Sequence, residues 1–423
     1  MISIKKKGIS LALIVIFLVS GCAEGGERQI ANYTIDQSAT IFLGELDKRV
    51  DNKEKKEITD IVKKWKSYYD RRMIFGIGVP WQLEIDAMEK LNVKLDEYTV
   101  KYLLDGNYEG EEEATQYNNY VIENLKKVIS IQDYKKLYEL CKKYETDMEI
   151  TNDEIQAITD NIIDILKKYP KINTDEILDY LLSGSENILA IYDIGSGVVE
   201  YENIPYVTLA KSNKSVTEEY PKIWNNVESI IPKYMFVNFD KLIISTDGEM
   251  NNLAYVIANN SMGSRWNISI DPVDVVEENL FYETIIHEYF HYMTLNNTQV
   301  SYFKQPNIYS YSEQDMVTER DSYLNQFNQK FWGILSQESP FAEDLYLFYL
   351  RHKNDFVDEY AATSASEDIC ESFAFFVLRD KPLEDTLANK KLLFFYGYPE
   401  LVEFRNQIRL NIENIRLDAK IAS

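Results

Sequence analysis

The spacing of apolar residues changes period near residue 188, and the chain can bury those residues only in ways that respect the change. From about 36 to 187 they recur at helical intervals. Ile58, Ile61, Val62 and Trp65 form one such set, and Ile155, Ile158, Ile162, Ile163 and Leu166 another. Thr151-Asn152-Asp153-Glu154 is a capping box that predicts where the second helix opens. Gly106-Asn107 and Gly110 break an earlier helical pair. After 188 come short β-rich segments at 188–192, 241–245, 253–257 and 266–270, separated by Gly and Asn/Asp turn signals. Helical patterns then run to the end. A few strands followed by many helices predicts an α+β fold, predominantly α. The boundaries expected are a helical N-terminal domain over 36–187 and a second domain with a small sheet over 188–423. The aromatic residues of the first half (Trp65, Tyr68, Tyr69, Trp81, Tyr117, Tyr120) read as core. Its alternating Lys and Glu read as a solvated face.

Composition narrows the function classes. The 423 residues are 45% apolar, enough for a sizeable core and too many for a disordered chain. Only 3 Cys are present, which excludes a disulfide scaffold. With 69 Asp+Glu against 45 Lys+Arg the net charge is −24, so the chain as a whole should repel nucleic acid and anionic membrane surfaces.

The first residues read as an address. Lys5, Lys6 and Lys7 precede an apolar run over 9–19 that is too short to span a bilayer, which takes about 20 residues, and right for a signal-peptide core. The run ends in Val19-Ser20-Gly21-Cys22, which resembles the lipobox of bacterial lipoproteins. That resemblance implies removal of residues 1–21 and lipid on Cys22, with 22–35 as a tether; an ordinary cleaved signal or an uncleaved anchor is the alternative. Two or more acyl chains on one residue suffice for stable anchoring. A chain starting at Cys22 would carry 69 acids against 42 bases, or −27. Cys141 and Cys370 could pair in an oxidising compartment or remain buried thiols.

The chemistry concentrates at Tyr282-Glu-Thr-Ile-Ile-His287-Glu288-Tyr289-Phe290-His291-Tyr292, which contains H-E-x-x-H. On a helix, positions i and i+4 share a face about 6 Å apart, so His287 and His291 can reach one metal ion. Glu288 then reaches a water at the ion's open position. Two of the 3 histidines in 423 residues fall in this one pattern, which chance rarely produces. A catalytic zinc takes three protein ligands and keeps a fourth position open. His352 is an unattractive third ligand, because Arg351-His352-Lys353-Asn354 reads as a polar, exposed patch. A carboxylate fits better. The segment 364–377 reads as a buried helix opened by Ser364, with Glu367 and Glu371 on one face at i and i+4. Acids aimed from a buried helix need positive partners, which a metal with two imidazoles supplies. Glu367 would bind the ion and Glu371 would accept the outer N–H of a ligand imidazole, His287 in the first instance. The bland reading is an acidic first turn favoured by the helix dipole, which accounts for Glu367 and Asp368 better than for Glu371. Glu319, Glu359 and Asp368 are the other carboxylates to consider.

With these residues the chain resembles the gluzincin metallopeptidases, which use H-E-x-x-H and a Glu from a second helix. The spacing Glu367-x-x-x-Glu371 repeats that of thermolysin-like members, with Glu where those enzymes have Asp. The catalytic domain of anthrax lethal factor is closer still. There an E-x-x-A-E-x-F run follows an active-site Tyr by seven residues, and here Glu367-Asp-Ile-Cys-Glu371-Ser-Phe373 follows Tyr360 by seven. The likeness covers about 281–376. It implies a zincin-like domain with a small sheet and an active-site helix, with Zn2+ held by His287, His291 and Glu367. It implies Glu371 behind them, Glu288 as general base, and Tyr360 bonding the oxyanion or protonating the leaving amine; a Tyr that merely packs on the helix is the alternative. His291 and Glu367 are 76 residues apart, so an extra helical segment should lie between them. Cys370 stands where a small Ala is usual. Substrate would be a peptide or protein, paired in extended form to an edge strand, for which 266–270 is the expectation.

The expected function is therefore a lipid-anchored zinc metallopeptidase on the outside of a bacterial cell. Two other classes remain open: a non-catalytic binding lipoprotein that contains zinc, and a zinc hydrolase of a non-peptide amide.

Overall fold

The computed structural model describes residues 33–422 except 76–80, 109–121, 123–124, 127, 147–149, 173, 183–186, 195–199, 203–217, 247–252, 273–276, 307–308, 314–315 and 343. The expected signal peptide and Cys22, and most of the tether, lie outside the described residues. The fold is α+β and predominantly α, as its sequence pattern implies.

Three helices come first: α1 (Ile35–Leu43), α2 (Asn52–Phe75) and α3 (Trp81–Leu103). Thr34 and Gln37 cap α1 reciprocally, and Gly44 ends it at φ 50°. A Cβ on Gly44 would lie 2.1 Å from the Arg351 carbonyl oxygen, so both conformation and contact require glycine. These helices enclose a core of Phe42, Ile58, Val62, Trp65, Leu91 and Leu95, which Ile334 joins from far along the chain. The next helices, α4 (Ile131–Thr146), α5 (Asn152–Leu166) and α6 (Thr174–Leu182), share a different core. Their Leu137, Ile162 and Ile177 belong with the sheet residues Leu189, Leu242 and Ile268. The capping box at the start of α5 is present, with Thr151 and Glu154 exchanging bonds at 3.0 and 3.3 Å. The described helices between 35 and 182 thus contribute to two cores.

The five-stranded sheet consists of β1 (Asn187–Asp193), β2 (Glu200–Glu202), β3 (Phe239–Thr246), β4 (Ala254–Ala258) and β5 (Trp266–Ile270) in the order β2-β1-β3-β5-β4. Only β3 and β5 are parallel. This order overturns the expected edge strand. Trp266–Ile270 is bonded on both sides, to β3 and to β4, and the edge beside the site is Ala254–Ala258. A hairpin folds β4 back outside β5, which position along the chain alone does not reveal.

Helix α7 (Tyr220–Ile230) lies between β2 and β3 in the chain, and α8 (Glu278–Leu295) follows the sheet, then a small sheet of β6 (Val300–Ser301), β7 (Ser312–Glu313) and β8 (Met316–Thr318), and the short helices α9 (Tyr323–Phe327), α10 (Leu335–Glu338) and α11 (Leu345–Arg351). Together they occupy the long interval before α12 (Ala365–Leu378), and α13 (Leu387–Phe394) and α14 (Pro399–Ala422) complete the chain. Phe290 of α8 and Phe373 of α12 stack at 3.7 Å and 6°, holding the two helices face to face. The 351–354 patch corrects a second expectation. Arg351 and His352 are buried, not exposed. Arg351 bonds Asp96 at 2.6 Å and Glu338 at 2.8 Å, and His352 Nε2 lies 3.0 Å from Glu338. Asp96 and Thr99 of α3 cover Arg351, Lys353 and Asn354 stay exposed, and the ion pairs make the burial of Arg351 and His352 tolerable. Cys141 and Cys370 are both buried free thiols. Among the described residues no helix is long and apolar enough to cross a membrane.

Candidate metal centre

Helix α8 is apolar around most of its circumference because sheet, α12 and α14 all pack on it; Phe281, Ile285, Ile286, Tyr289 and Phe290 are buried. His287 and His291 emerge one turn apart, with their Nε2 atoms 2.9 Å from each other. Ser364 caps α12 by accepting the Glu367 amide, which starts the helix where Glu367 faces α8. Glu367 Oε2 lies 3.2 Å from His287 Nε2 and 3.3 Å from His291 Nε2. These three atoms form a triangle. Bonds of about 2.0–2.1 Å at tetrahedral angles would place donor atoms about 3.3 Å apart. The observed edges suit a small divalent cation, and two imidazoles with one carboxylate are a donor set typical of zinc.

Glu288 sits beside this triangle, with Oε1 3.9 Å from His287 Nε2. Its Oε2 accepts the Val256 N–H of the edge strand β4 at 3.1 Å. Behind His287, Nδ1 lies 3.0 Å from Glu371 Oε1, bent from ideal hydrogen-bond geometry. The ring of Tyr360 stacks on His287 at 5.6 Å and 26°. The sequence-expected residues His287, Glu288, His291, Tyr360, Glu367 and Glu371 are therefore brought together. Two of the alternative carboxylates, Asp368 and Glu319, are not. Asp368 turns away to Lys391 and Trp332, and Glu319 pairs with Lys304. His352 is engaged with Glu338 and Asp355.

The electrostatics are those of a centre short of positive charge. Burial alone would lower the His287 imidazole, but Glu371, Glu367 and Glu288 outweigh it and push its pKa well above the ordinary value. Burial would raise Glu367, yet His291 and His287 hold it well below the usual carboxylate range. Burial raises Glu288 despite the imidazoles nearby.

Sequence reasoning missed three features. Glu283 and Asp358 place carboxylate oxygens within 4.8 Å of Glu371, and burial raises both. Glu283 lies one turn before His287, a signal that could have been read; Asp358 arrives through the loop before Tyr360 and left none. Glu313 accepts hydrogen bonds from Ser366 at 2.5 Å and Tyr311 at 2.8 Å beside the Glu367 end of the site. Cys370 brings its sulfur within 4.8 Å of donor atoms of both histidines. Burial and the neighbouring carboxylates push its thiol well above its usual value.

Compared with known protein families, curated proteins and solved structures, the chain matches none.

Proposed function

We propose that this chain is a gluzincin-like zinc metallopeptidase, an endopeptidase anchored by lipid on Cys22 to the outside of a bacterial cell. The observation that carries the reading is the triangle of His287 Nε2, His291 Nε2 and Glu367 Oε2, with edges of 2.9, 3.2 and 3.3 Å and Glu288 at its side. His287, His291 and Glu367 would hold the ion. Zinc, when bound, supplies a Lewis acid that polarises the scissile carbonyl and makes water a stronger acid.

The protein's own groups do the rest. Glu288 is fixed through Oε2 by the Val256 amide, which leaves Oε1 turned toward the histidines to take a proton from the attacking water. Its raised pKa suits it to hold that proton and deliver it to the departing nitrogen. Glu371 orients the His287 ring from behind, so that Nε2 and not Nδ1 faces the site. Tyr360, stacked on His287, donates its hydroxyl to the developing oxyanion. The outer edge of Ala254–Ala258 pairs with an extended peptide, and Val256 ties that edge to the base.

Glu288→Gln tests the reading directly. The variant should retain zinc by elemental analysis and lose cleavage of a peptide library by about 10²–10⁴-fold. Undiminished cleavage would overturn the mechanism. A zinc-loaded wild type that cleaves no peptide would turn attention to a binding lipoprotein or a hydrolase of non-peptide amides.

A further inference from the structure

The chain as a whole is acidic, but one helix reverses the sign. Asn52–Phe75 (α2) carries eight Lys and Arg against four Asp and Glu, in a protein of net charge −24. The positions are ordered. At about 100° per residue, Lys53, Lys56, Lys63, Lys64 and Arg71 fall within an arc of about 100°. The buried residues Ile58, Val62, Trp65 and Tyr69 lie on the opposite side of the helix, and all five cations are exposed. None of the five has an ion pair with a described residue. The other lysines of the helix are spoken for: Lys55 pairs with Asp47, and Lys66 donates to the Tyr33 carbonyl. Asp60 is the one acid inside the arc. Glu57 lies at its margin and is engaged by Tyr98 and Lys94. On the α3 side Asp86 and Glu89 bound the patch, and Leu83 and Val93 stand exposed beside it.

We propose that this face of α2 is a docking surface for an anionic lipid bilayer. The stripe from Lys53 to Arg71 is straight and about 27 Å long at 1.5 Å per residue, which matches a planar array of headgroup phosphates. It is built mainly of lysine, a hydrated point charge, along the exposed side of one helix. No aromatic side chain lies within the arc to stack bases, and the open groove that Lys53, Lys56 and Lys64 share with α3 also carries Glu57, Asp60, Asp86 and Glu89, carboxylates that would repel a single phosphate seated there. The acidic remainder of the molecule is repelled by the same surface. Beyond a Debye length of about 8 Å that repulsion is screened, whereas cations in contact with the headgroups retain their attraction. The result is a molecule with one permitted orientation. Helix α2 begins 30 residues after Cys22, so lipid and stripe would act at the same end of the chain as two weak signals that reinforce each other.

The test uses the processed chain starting at residue 22 with Cys22→Ser, so that no acyl chain contributes. Its co-sedimentation with phosphatidylcholine vesicles is compared with that of vesicles containing 30% phosphatidylglycerol. The partition coefficient should rise at least tenfold with phosphatidylglycerol and collapse in 0.5 M NaCl. The variant Lys53→Glu/Lys56→Glu/Lys63→Glu/Lys64→Glu should lose that increment while keeping its circular dichroism. Lys135→Glu/Lys136→Glu on α4 should retain it. Equal partition into neutral and anionic vesicles overturns the proposal, as does an increment that survives the quadruple change. Preferential capture of single-stranded DNA over anionic vesicles also overturns it.

Discussion

Glu367 and Asp368 are neighbours in the chain, both on the first turn of α12, and they meet opposite circumstances. Asp368 is fully buried and finds everything it needs inside the protein. Lys391 Nζ lies 2.5 Å away, Trp332 Nε1 donates at 2.7 Å, and Ser372 adds a hydroxyl at 3.2 Å. Arg351 and His352 beside α3 are likewise partnered from within the protein, by Asp96, Glu338 and Asp355. Glu367 meets two imidazoles instead, and around them stand Glu288, Glu371, Asp358 and Glu283. Buried acids that bring their own cation are architecture. An excess of buried carboxylate over cation is unfavourable unless positive charge arrives from outside, and that excess is the physical basis of the proposed zinc site.

The sharpest way to break this comparison is to neutralise each neighbour in turn. Glu367→Ala should weaken zinc about 10³-fold, since one donor of three accounts for roughly a third of a binding free energy of ~10–16 kcal/mol. Asp368→Asn should change zinc affinity less than about threefold, yet destabilise the fold by about 3–5 kcal/mol because Lys391 is left buried and unpaired. Chelator competition and urea unfolding read the two effects, and equal losses of zinc affinity would abolish the distinction. Arg351→Met should likewise cost about 3–5 kcal/mol in urea, with much of it recovered when Glu338→Leu is added, because the pair and not the charge alone is what packs.

Smaller effects sharpen the picture. Glu371→Gln should weaken zinc by about 10–100-fold, the loss usual when the partner behind a ligand histidine is removed. A chelator titration showing no change would separate Glu371 from the site. The smallest effect concerns pH. His352 is raised above its ordinary value by Glu338 and Asp355 against the lowering effect of burial. Its contribution to stability is therefore complete below about pH 6.5 and lost as pH rises through the raised folded value. Glu338 is held below its ordinary value by His352 and Arg351, outweighing burial, so its contribution is present above about pH 4.5 and lost as pH falls through the lowered value. The apo protein should show its highest urea midpoint between these limits. His352→Gln should flatten the alkaline side and also weaken the acid side, since Arg351 alone is then left to hold Glu338 down, and an unchanged profile would count against the pair.

Much of the candidate site was legible because helices impose geometry locally. His287 and His291, and Glu367 and Glu371, share faces by spacing alone, and the Ser364 cap set where the second pair begins. The cap at Thr151 and the strand segments were readable for the same reason. Asp358 was not, because its nearness to Glu371 depends on how a loop returns to α12. Lys391 was not either. Nothing in Leu-Ala-Asn-Lys-Lys marks the second lysine as buried and the first as exposed.

By itself the amino-acid order determined the element types, the class of fold and which side chains stand together on one helix, because backbone period and capping act within a few residues. Tertiary structure alone decided that Ala254–Ala258 and not Trp266–Ile270 is the outer strand, that Arg351 and His352 lie beneath α3, and that Asp368 faces a lysine while Glu367 faces two histidines. Those outcomes depend on which distant surfaces exclude water from one another. Their free energies belong to pairs of segments, and no single stretch of sequence contains them.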